Sequence, residues 1–248
     1  YVGADGSAVG EVNSAAHIGS VLYCNACHNE AAHTMDTVVF PGGAEVTDLG
    51  RWANCMRCHQ GRTSTETVRQ ATEGLGPDEV SEALSFINVH YAVAAATRHG
   101  GDTSVGYEYE GQDYAGWYPH TPDYDACTEC HDAHSTHIDP AACEPCHSNV
   151  VSYGDLYEIR ESDVDYDGDG DRDEGIRQEI QALHDTLYTA IQTYATEVAG
   201  VGIIYTGNYP YWGIDTNGNG EVDEGEAGGG NRYTAWTPRL LRAAYNYH

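Results

Sequence analysis

Four copies of one short motif supply the residues best suited to chemistry. Each copy reads C-x-x-C-H, two cysteines separated by two residues with a histidine directly after the second cysteine, and the copies lie at residues 24–28, 55–59, 127–131 and 143–147. This spacing is the attachment signature of a c-type haem. One turn of chain can present both thiols to the two vinyl groups along one edge of a porphyrin. The histidine is then held beneath the iron as its proximal ligand.

A zinc site is the main alternative, since C-x-x-C pairs also occur in zinc ribbons. However, the chain contains eight cysteines, and all of them lie in the four motifs. A histidine also follows the second cysteine every time, which chance would produce in all four motifs roughly once in 10⁵. The sequence therefore predicts four covalently bound haem c groups. The predicted thioether residues are Cys24, Cys27, Cys55, Cys58, Cys127, Cys130, Cys143 and Cys146, and the predicted proximal ligands are His28, His59, His131 and His147.

The composition predicts a fold that depends on these cofactors. The chain has two Phe and two Met, but 19 Tyr and four Trp. Tyr and Trp pack beside a porphyrin while keeping a polar group accessible. We therefore predict a chain that is mostly coil, with a few α-helices wrapped around four stacked haems and low β content. The predicted organisation is a tetrahaem core at residues 1–150 and a haem-free C-terminal region at residues 151–248.

The charge of the chain excludes polyanionic partners. The formal net charge is -28, from 39 acidic and 11 basic residues, and no basic residue is a lysine. Such a surface repels nucleic acid and anionic membrane. No apolar run reaches the roughly 18 residues that a membrane span needs. Residue 1 lies directly in polar sequence, as expected of a mature chain. Because haem is attached to this motif outside the cytoplasm, we expect an exported protein of the periplasm, the cell surface or beyond.

Three segments of the chain carry helix signals. The first is predicted over residues 78–98 and places His90 on a helix. Its apolar positions recur at helical spacing, namely Val80, Leu84, Ile87 and Tyr91. The second is predicted over residues 175–195. Its apolar stripe consists of Ile176, Ile180, Leu183, Leu187, Ile191 and Tyr194. A short final helix is predicted to begin with Thr237 as its N-cap and Pro238 at its first position.

The sixth ligand of each iron is predicted to be a histidine. Nine histidines remain outside the motifs, whereas the one methionine outside them is Met35. Ligation by two histidines implies low reduction potentials, because imidazole donates more electron density to ferric iron than a thioether does. The predicted distal ligands are His17, His90, His120 and His134, with His33 as the alternative.

Local sequence supports two of these distal ligands. His134 follows His131 by three residues, so on a helical turn both rings would project from one face. His120 lies between Pro119 and Pro122, which fix the backbone. The other four histidines are not assigned to iron. His99 and His184 are predicted to be ordinary surface residues, and His137 and His248 stay open.

Two acidic segments of the tail are internal copies. Residues 165–175 and 215–225 both read D-x-[DN]-G-[DN]-G-x-x-D-E-G. The second copy matches a calcium loop of the EF-hand type, with oxygen ligands at positions 1, 3 and 5, Gly at 6 and Glu at 12. In the first copy position 12 is Ile176, so either Glu174 or Glu179 substitutes, or the site is weaker. A loop shifted to residues 163–174 also fits. The predicted calcium ligands are Asp165, Asp167, Asp169, Asp171, Glu174, Asp215, Asn217, Asn219, Glu221 and Glu226. The alternative is a solvated acidic turn.

Longer segments carry a family resemblance. The motif order, C-M-R-C-H-Q-G-R at residues 55–62, F-I-N-V-H-Y at residues 86–91 and the tail over residues 165–242 resemble multihaem c-type cytochromes of bacterial and archaeal electron-exporting organisms. The number of haems per chain length is similar to that of subunits of extracellular cytochrome filaments, the microbial nanowires. Relatives with this tail continue past the equivalent of Asn246, so the resemblance leaves two explanations of the end at His248, processing or further sequence.

The resemblance implies a homopolymer at the cell surface or outside the cell, in which haems stack within and between subunits. One iron would then take its distal histidine from the next subunit, with His17 as the candidate donor. Other redox proteins or extracellular electron acceptors are the expected partners, and electron hopping is the expected mechanism. Two alternatives stay open, a soluble periplasmic tetrahaem shuttle and a multihaem reductase. The reductase would need a five-coordinate iron, so we expect an electron carrier and not an enzyme.

Overall fold

The computed structural model describes residues 24–90, 92–121 and 124–248, and the chain divides into two compact units. The first unit joins the residues up to Thr67 with Asn88–Glu129, and the second joins Val68–Ile87 with Cys130–His248. This division differs from the boundary at residue 150 predicted from the sequence, because residues 68–87 and 130–150 belong to the same unit as the tail. Loops and turns make up most of the described residues.

The first unit is built from short elements that follow one another closely. Its helices are α1 (Glu30–Thr34), α2 (Trp52–His59) and α4 (Ala94–His99), and α3 (Thr65–Ala71) and α5 (Cys127–Cys130) begin in it. The side chain of Asn29 caps α1 by accepting a hydrogen bond from the Ala32 N–H at 2.9 Å. Strands β1 (Val38–Val39) and β2 (Glu45–Val46) form an antiparallel pair. Phe40 and Met56 are among its fully buried side chains.

The helix predicted over residues 78–98 is wrong for most of its length. Residues 78–90, 92 and 93 are turn and extended chain, and only α4 is helical. The backbone of this part of the chain forms hydrogen bonds with the tail. The Ser81 N–H donates to the Trp236 carbonyl at 3.0 Å, and the Arg239 N–H donates to the Pro77 carbonyl at 3.0 Å. Because these groups pair with the tail, packing within the second unit overrides the helical pattern.

The second unit contains the longest helix of the described residues. Its elements are α6 (Ile176–Tyr194), β3 (Ile203–Tyr205), β4 (Trp212–Ile214) and α7 (Pro238–Tyr247), and β3 pairs with β4 in antiparallel fashion. Helices α6 and α7 confirm the two helices that the sequence predicts in the tail. The Thr237 hydroxyl accepts a hydrogen bond from the Leu240 N–H at 3.1 Å, as an N-cap does.

An aromatic core holds the second unit together. Trp212, Trp236, Leu240 and Leu241 are buried, and the Phe86 ring stacks on Trp236 with centroids 6.1 Å apart. The stripe predicted along α6 is buried only in part. Ile191 is buried, but the side chains of Ile180 and Leu183 are 60% and 44% exposed. No helix of the described residues is long and apolar enough to cross a membrane.

Candidate haem centres and acidic loops

Each C-x-x-C-H motif is wound into a single turn of chain. The His28 N–H donates to the Cys24 carbonyl at 2.8 Å, and the His147 N–H donates to the Cys143 carbonyl at 2.9 Å. The second motif ends α2, and α5 contains both cysteines of the third. Residues three apart in such a turn lie on one face. All eight cysteines lie in the described residues, and none of them forms a disulfide. The motifs therefore suit thioether bonds to one porphyrin edge.

Thiols of three motifs lie near one another in the first unit. A hydrogen bond with the Cys127 side chain raises the pKa of the Cys55 thiol, and burial raises it further. Cys27 and Cys58 lie close enough to add to this effect. The first, second and third motifs thus approach one another although up to 100 residues separate their sequences.

Two proximal histidines have the hydrogen bond that orients a metal-binding imidazole. The Nδ1 atom of His59 lies 2.5 Å from the Ala92 carbonyl oxygen. The Nδ1 atom of His131 lies 2.9 Å from the Thr136 carbonyl oxygen. A carbonyl can only accept, so Nδ1 carries the proton and Nε2 keeps its lone pair for iron.

The proximal histidine of the fourth motif faces a carboxylate instead. His147 Nδ1 lies 3.4 Å from Glu161 Oε1, and the His147 side chain is 16% exposed. A carboxylate also holds the proton on Nδ1 and leaves Nε2 for iron. The residues present at the second, third and fourth motifs thus meet the requirement of a haem iron on the proximal side.

His90 adopts a backbone conformation that residues other than glycine rarely take. Its φ is 86°, and its N–H donates to the Asn88 side-chain oxygen at 2.6 Å. Burial lowers the pKa of the His90 imidazole, and the nearby Arg62 charge lowers it further. Both effects favour the neutral ring that a metal requires. His90 therefore lies in a strained loop and not on the helix predicted from the sequence.

The loop around His90 is tied to the chain that follows the second motif. The Arg62 N–H donates to the Val89 carbonyl at 3.0 Å, and the Thr63 hydroxyl donates to the Asn88 carbonyl at 3.2 Å. Ala92, whose carbonyl faces His59, also has a positive φ of 54°. One strained segment thus supplies both the partner of a proximal histidine and a candidate distal ligand. Strain of this kind clusters at functional sites.

The other candidates for distal ligand among the described residues have exposed side chains. His120 is exposed in a loop, and His33 is exposed in the last turn of α1. His134 lies in a turn after α5 has ended, and its N–H donates to the Asp132 side chain at 3.1 Å. The expectation that His131 and His134 share one helical face is therefore wrong. His17 lies outside the described residues.

His99 is not the surface residue predicted from the sequence. Its side chain is buried, with its ring centroid 5.6 Å from that of Phe40 and 5.0 Å from that of Trp117. Its Nε2 atom has no hydrogen-bond partner among the described residues. Burial lowers the pKa of this imidazole, and the Arg98 charge lowers it further. The signal missed in the sequence was the run of small alanines before His99, which lets α4 pack closely.

The two histidines of the tail, His184 and His248, have structural partners. His184 is half-buried and stacks on Tyr247 at 3.9 Å, and its Nε2 lies 3.1 Å from the Tyr247 carbonyl. His248 Nδ1 lies 2.8 Å from the Tyr205 hydroxyl. Both imidazoles therefore belong to the aromatic core of the second unit.

The second acidic loop closes on itself through its first and last carboxylates. Asp215 accepts hydrogen bonds from the N–H groups of Gly218 at 2.6 Å and Gly220 at 2.8 Å. Glu226, at position 12, is 4% exposed and accepts from the Thr216 N–H at 2.8 Å. Hydrogen bonds from the Thr216 hydroxyl and the Thr216 N–H lower the pKa of Glu226, so the carboxylate is held in its charged form.

The first acidic loop repeats this pattern with a different closing residue. Asp165 accepts from Gly168 at 2.6 Å and Gly170 at 3.0 Å, as Asp215 does in its loop. Glu179 accepts from the Tyr166 N–H at 2.7 Å, as Glu226 does from Thr216. Of the two substitutes left open by the sequence, the structure places Glu179, from the first turns of α6, at the closing position.

The carboxylates of the first loop are crowded. One oxygen from each of Asp165, Asp167 and Glu179 lies within 4.8 Å of the others, and the same holds for Asp167, Asp169 and Glu174. Burial raises the pKa of Glu174, and the neighbouring carboxylates raise it further. Helix α6 contacts both loops. Its Glu179 side chain closes the first loop, and its Gln192 amide donates to the Gly220 carbonyl of the second loop at 2.7 Å.

Two curated relatives are similar to most of this chain. The C-type polyheme cytochrome OmcB of Geobacter sulfurreducens is 25% identical over 263 aligned residues, which cover 87% of this chain and 31% of OmcB. The C-type polyheme cytochrome OmcC of the same organism is also 25% identical, over 87% of this chain and 30% of OmcC. The similarity supports a multihaem c-type cytochrome. The chain spans about a third of the length of these relatives.

Other comparisons add no further relative. No family model matches the chain. No solved structure matches it either.

Proposed function

We propose that this chain carries electrons through four covalently attached haem c groups, one at each motif, as a subunit of an extracellular polymeric filament. The observation that carries the proposal is the set of four single-turn motifs, three of which hold their proximal histidine through Nδ1. When bound, haem c supplies one-electron chemistry between ferric and ferrous iron. The chain contributes axial ligands, burial and spacing.

His90 is the distal ligand that the structure supports best. Its neutral ring and its fixed backbone lower the cost of ordering a ligand. His120 and His134 complete the proposed set among the described residues, with His33 as the alternative, and His17 is proposed as the ligand donated to a neighbouring subunit. Ligation by two imidazoles keeps the geometry similar in both oxidation states, which suits fast electron hopping.

Two features favour a filament over a soluble periplasmic shuttle. The number of motifs per chain length resembles that of filament subunits. The exposed Ile180 and Leu183 side chains on α6 offer apolar surface for contact between subunits. A cell-surface or extracellular location follows from export and polymer formation. A reductase is disfavoured, because the candidate histidines exceed the number of iron sites that need them.

We further propose that both acidic loops bind Ca²⁺ and act as structural clips. The support is the repetition of one arrangement in two loops: a first Asp that holds two glycine N–H groups, and a buried Glu that closes the loop. Oxygen ligands of this kind and spacing suit Ca²⁺. Because both loops contact α6, bound ions would fix the two loops to this helix.

Replacement of His90 tests the ligation and the haem count together. We expect the wild-type chain to carry four haems by intact mass, all of them six-coordinate and low-spin. The His90→Ala variant should keep four haems and convert one of them to a high-spin form, seen by ferric EPR and by CO binding after reduction. The His33→Ala variant is the matched control and should leave all four low-spin. Fewer than four haems in the wild type, or a low-spin His90→Ala variant, would overturn the proposal.

A further inference from the structure

The fourth motif differs from the second and third in the partner of its proximal histidine. His59 and His131 face backbone carbonyls, which are neutral. His147 faces the Glu161 carboxylate, with 3.4 Å between Nδ1 and Oε1. Both residues lie in the second compact unit.

The chemistry of these two acceptors is different. A carboxylate attracts the Nδ1 proton more strongly than a carbonyl does, so the imidazole gains electron density and becomes a stronger ligand. The negative charge close to the ligand also favours the ferric over the ferrous iron. Solvent weakens the effect, because the Glu161 side chain is 80% exposed, while the His147 side chain is largely shielded.

Arg160 fixes the backbone that follows Glu161. Its guanidinium donates to the carbonyls of Ser162 at 2.7 Å, Val164 at 2.5 Å and Glu174 at 3.1 Å. It also pairs with the buried Glu179 carboxylate at 2.6 Å. Because the main chain is held in this way, the Glu161 side chain starts from a defined position, and only its own rotamers have to be ordered against His147.

We propose that Glu161 is a positioning residue that lowers the reduction potential of the haem at the fourth motif, acting through Nδ1 of His147. This inference rests on the proposed function, which places a haem there. The haems of one chain then differ in potential, and the haem at the fourth motif gives up its electron more readily than one whose proximal histidine faces a carbonyl.

The Glu161→Gln variant tests the role of the charge. Glutamine keeps the size and an oxygen acceptor but removes the negative charge. We expect one reduction potential to rise, by an amount on the order of a tenfold change in the reduction equilibrium, which equals 59 mV for one electron. The other potentials should stay in place. The ferric EPR signal of the same haem should shift, because the electron donation of its imidazole has changed.

The Asp163→Asn variant is the matched control. It removes the same charge two residues away, from an exposed side chain. We expect potentials close to those of the wild type. If Glu161→Gln and Asp163→Asn have the same effect, the inference is wrong.

A separate measurement distinguishes this failure from failure of the proposed function. Mass spectrometry of a digest of the wild-type protein shows whether the peptide with Cys143 and Cys146 carries haem. Absence of haem on this peptide would overturn the proposed function at the fourth motif. Haem on the peptide, together with an unchanged potential in Glu161→Gln, would overturn the inference on Glu161 alone.

Discussion

His99 shows how one buried polar side chain can limit stability. Its ring is enclosed by Phe40 and Trp117, and its Nε2 lacks a hydrogen-bond partner among the described residues. An unpartnered buried polar atom costs about 1–3 kcal/mol. The neighbouring Arg98 guanidinium lies 4.8 Å from the Trp117 ring centroid and opposes protonation of the imidazole. His99 is therefore held neutral in an aromatic environment.

Replacement of His99 by phenylalanine should stabilise the chain and change its response to pH. The folded chain lowers the pKa of His99 below the usual 6.5. The unfolded state then binds more protons as pH falls below about 6.5, so this residue removes stability on the acid side. We expect the His99→Phe variant to be more stable at pH 7.5 and to lose less stability by pH 5.5. The measurement is urea unfolding at both pH values.

The His137→Gln variant provides the control for this experiment. His137 is exposed, so its removal should leave both unfolding midpoints close to those of the wild type. A His99→Phe variant that loses as much stability at pH 5.5 as the wild type would contradict the buried neutral imidazole.

At the scale of elements, α6 organises the two acidic loops. Glu179 in its first turns closes the first loop, and Gln192 near its end bonds the second. The carboxylate that closes the first loop therefore comes from the helix and not from position 12 of the loop. This explains how two segments with the same sequence pattern keep the same hydrogen bonds although one lacks the terminal Glu.

Calcium should stabilise the second unit through these loops. An ion that binds the folded chain alone adds about 2.7 kcal/mol at a hundredfold excess over its dissociation constant. We expect calcium to raise the unfolding temperature of the metal-free protein and a chelator to reverse the effect. The Glu226→Gln variant should lose the part of this stabilisation that comes from the second loop.

The Glu224→Gln variant is the control. Glu224 is exposed, and its replacement removes the same charge from the same loop. It should respond to calcium nearly as the wild type does. An unfolding temperature that does not depend on calcium in any of these proteins would contradict the clip.

At the scale of the whole molecule, charge opposes assembly. Copies with a net charge of -28 repel one another, and the repulsion is long-range at low ionic strength. We therefore expect polymer formation to increase when NaCl rises from about 10 to 300 mM, where the screening length falls from about 30 Å to under 10 Å. Light scattering and negative-stain imaging measure the effect. Particles that stay single at every salt concentration would favour a soluble shuttle.

Some elements could be predicted because neighbouring residues decide them. Helix α6 and the N-cap of α7 follow from local periodicity and from Thr237-Pro238, and the structure has both. The helix over residues 78–98 could not be judged in this way. Its apolar spacing suits a helix, but Leu84 is buried in the core of the second unit as part of an extended segment. The apolar spacing suits a helix in both segments, and only the packing partners of the two segments differ.

The sequence by itself determined the cofactor chemistry, because haem attachment needs two thiols and a histidine within five consecutive residues. It also determined the acidic loops, whose ligands are spaced along one turn. The tertiary structure decided the partners of the proximal histidines. Ala92 is 33 residues from His59, and any backbone carbonyl could have served, so no sequence signal marks it. It likewise decided that Glu179 closes the first loop and that Glu161 reaches His147, because only folding brings such distant carboxylates to those sites.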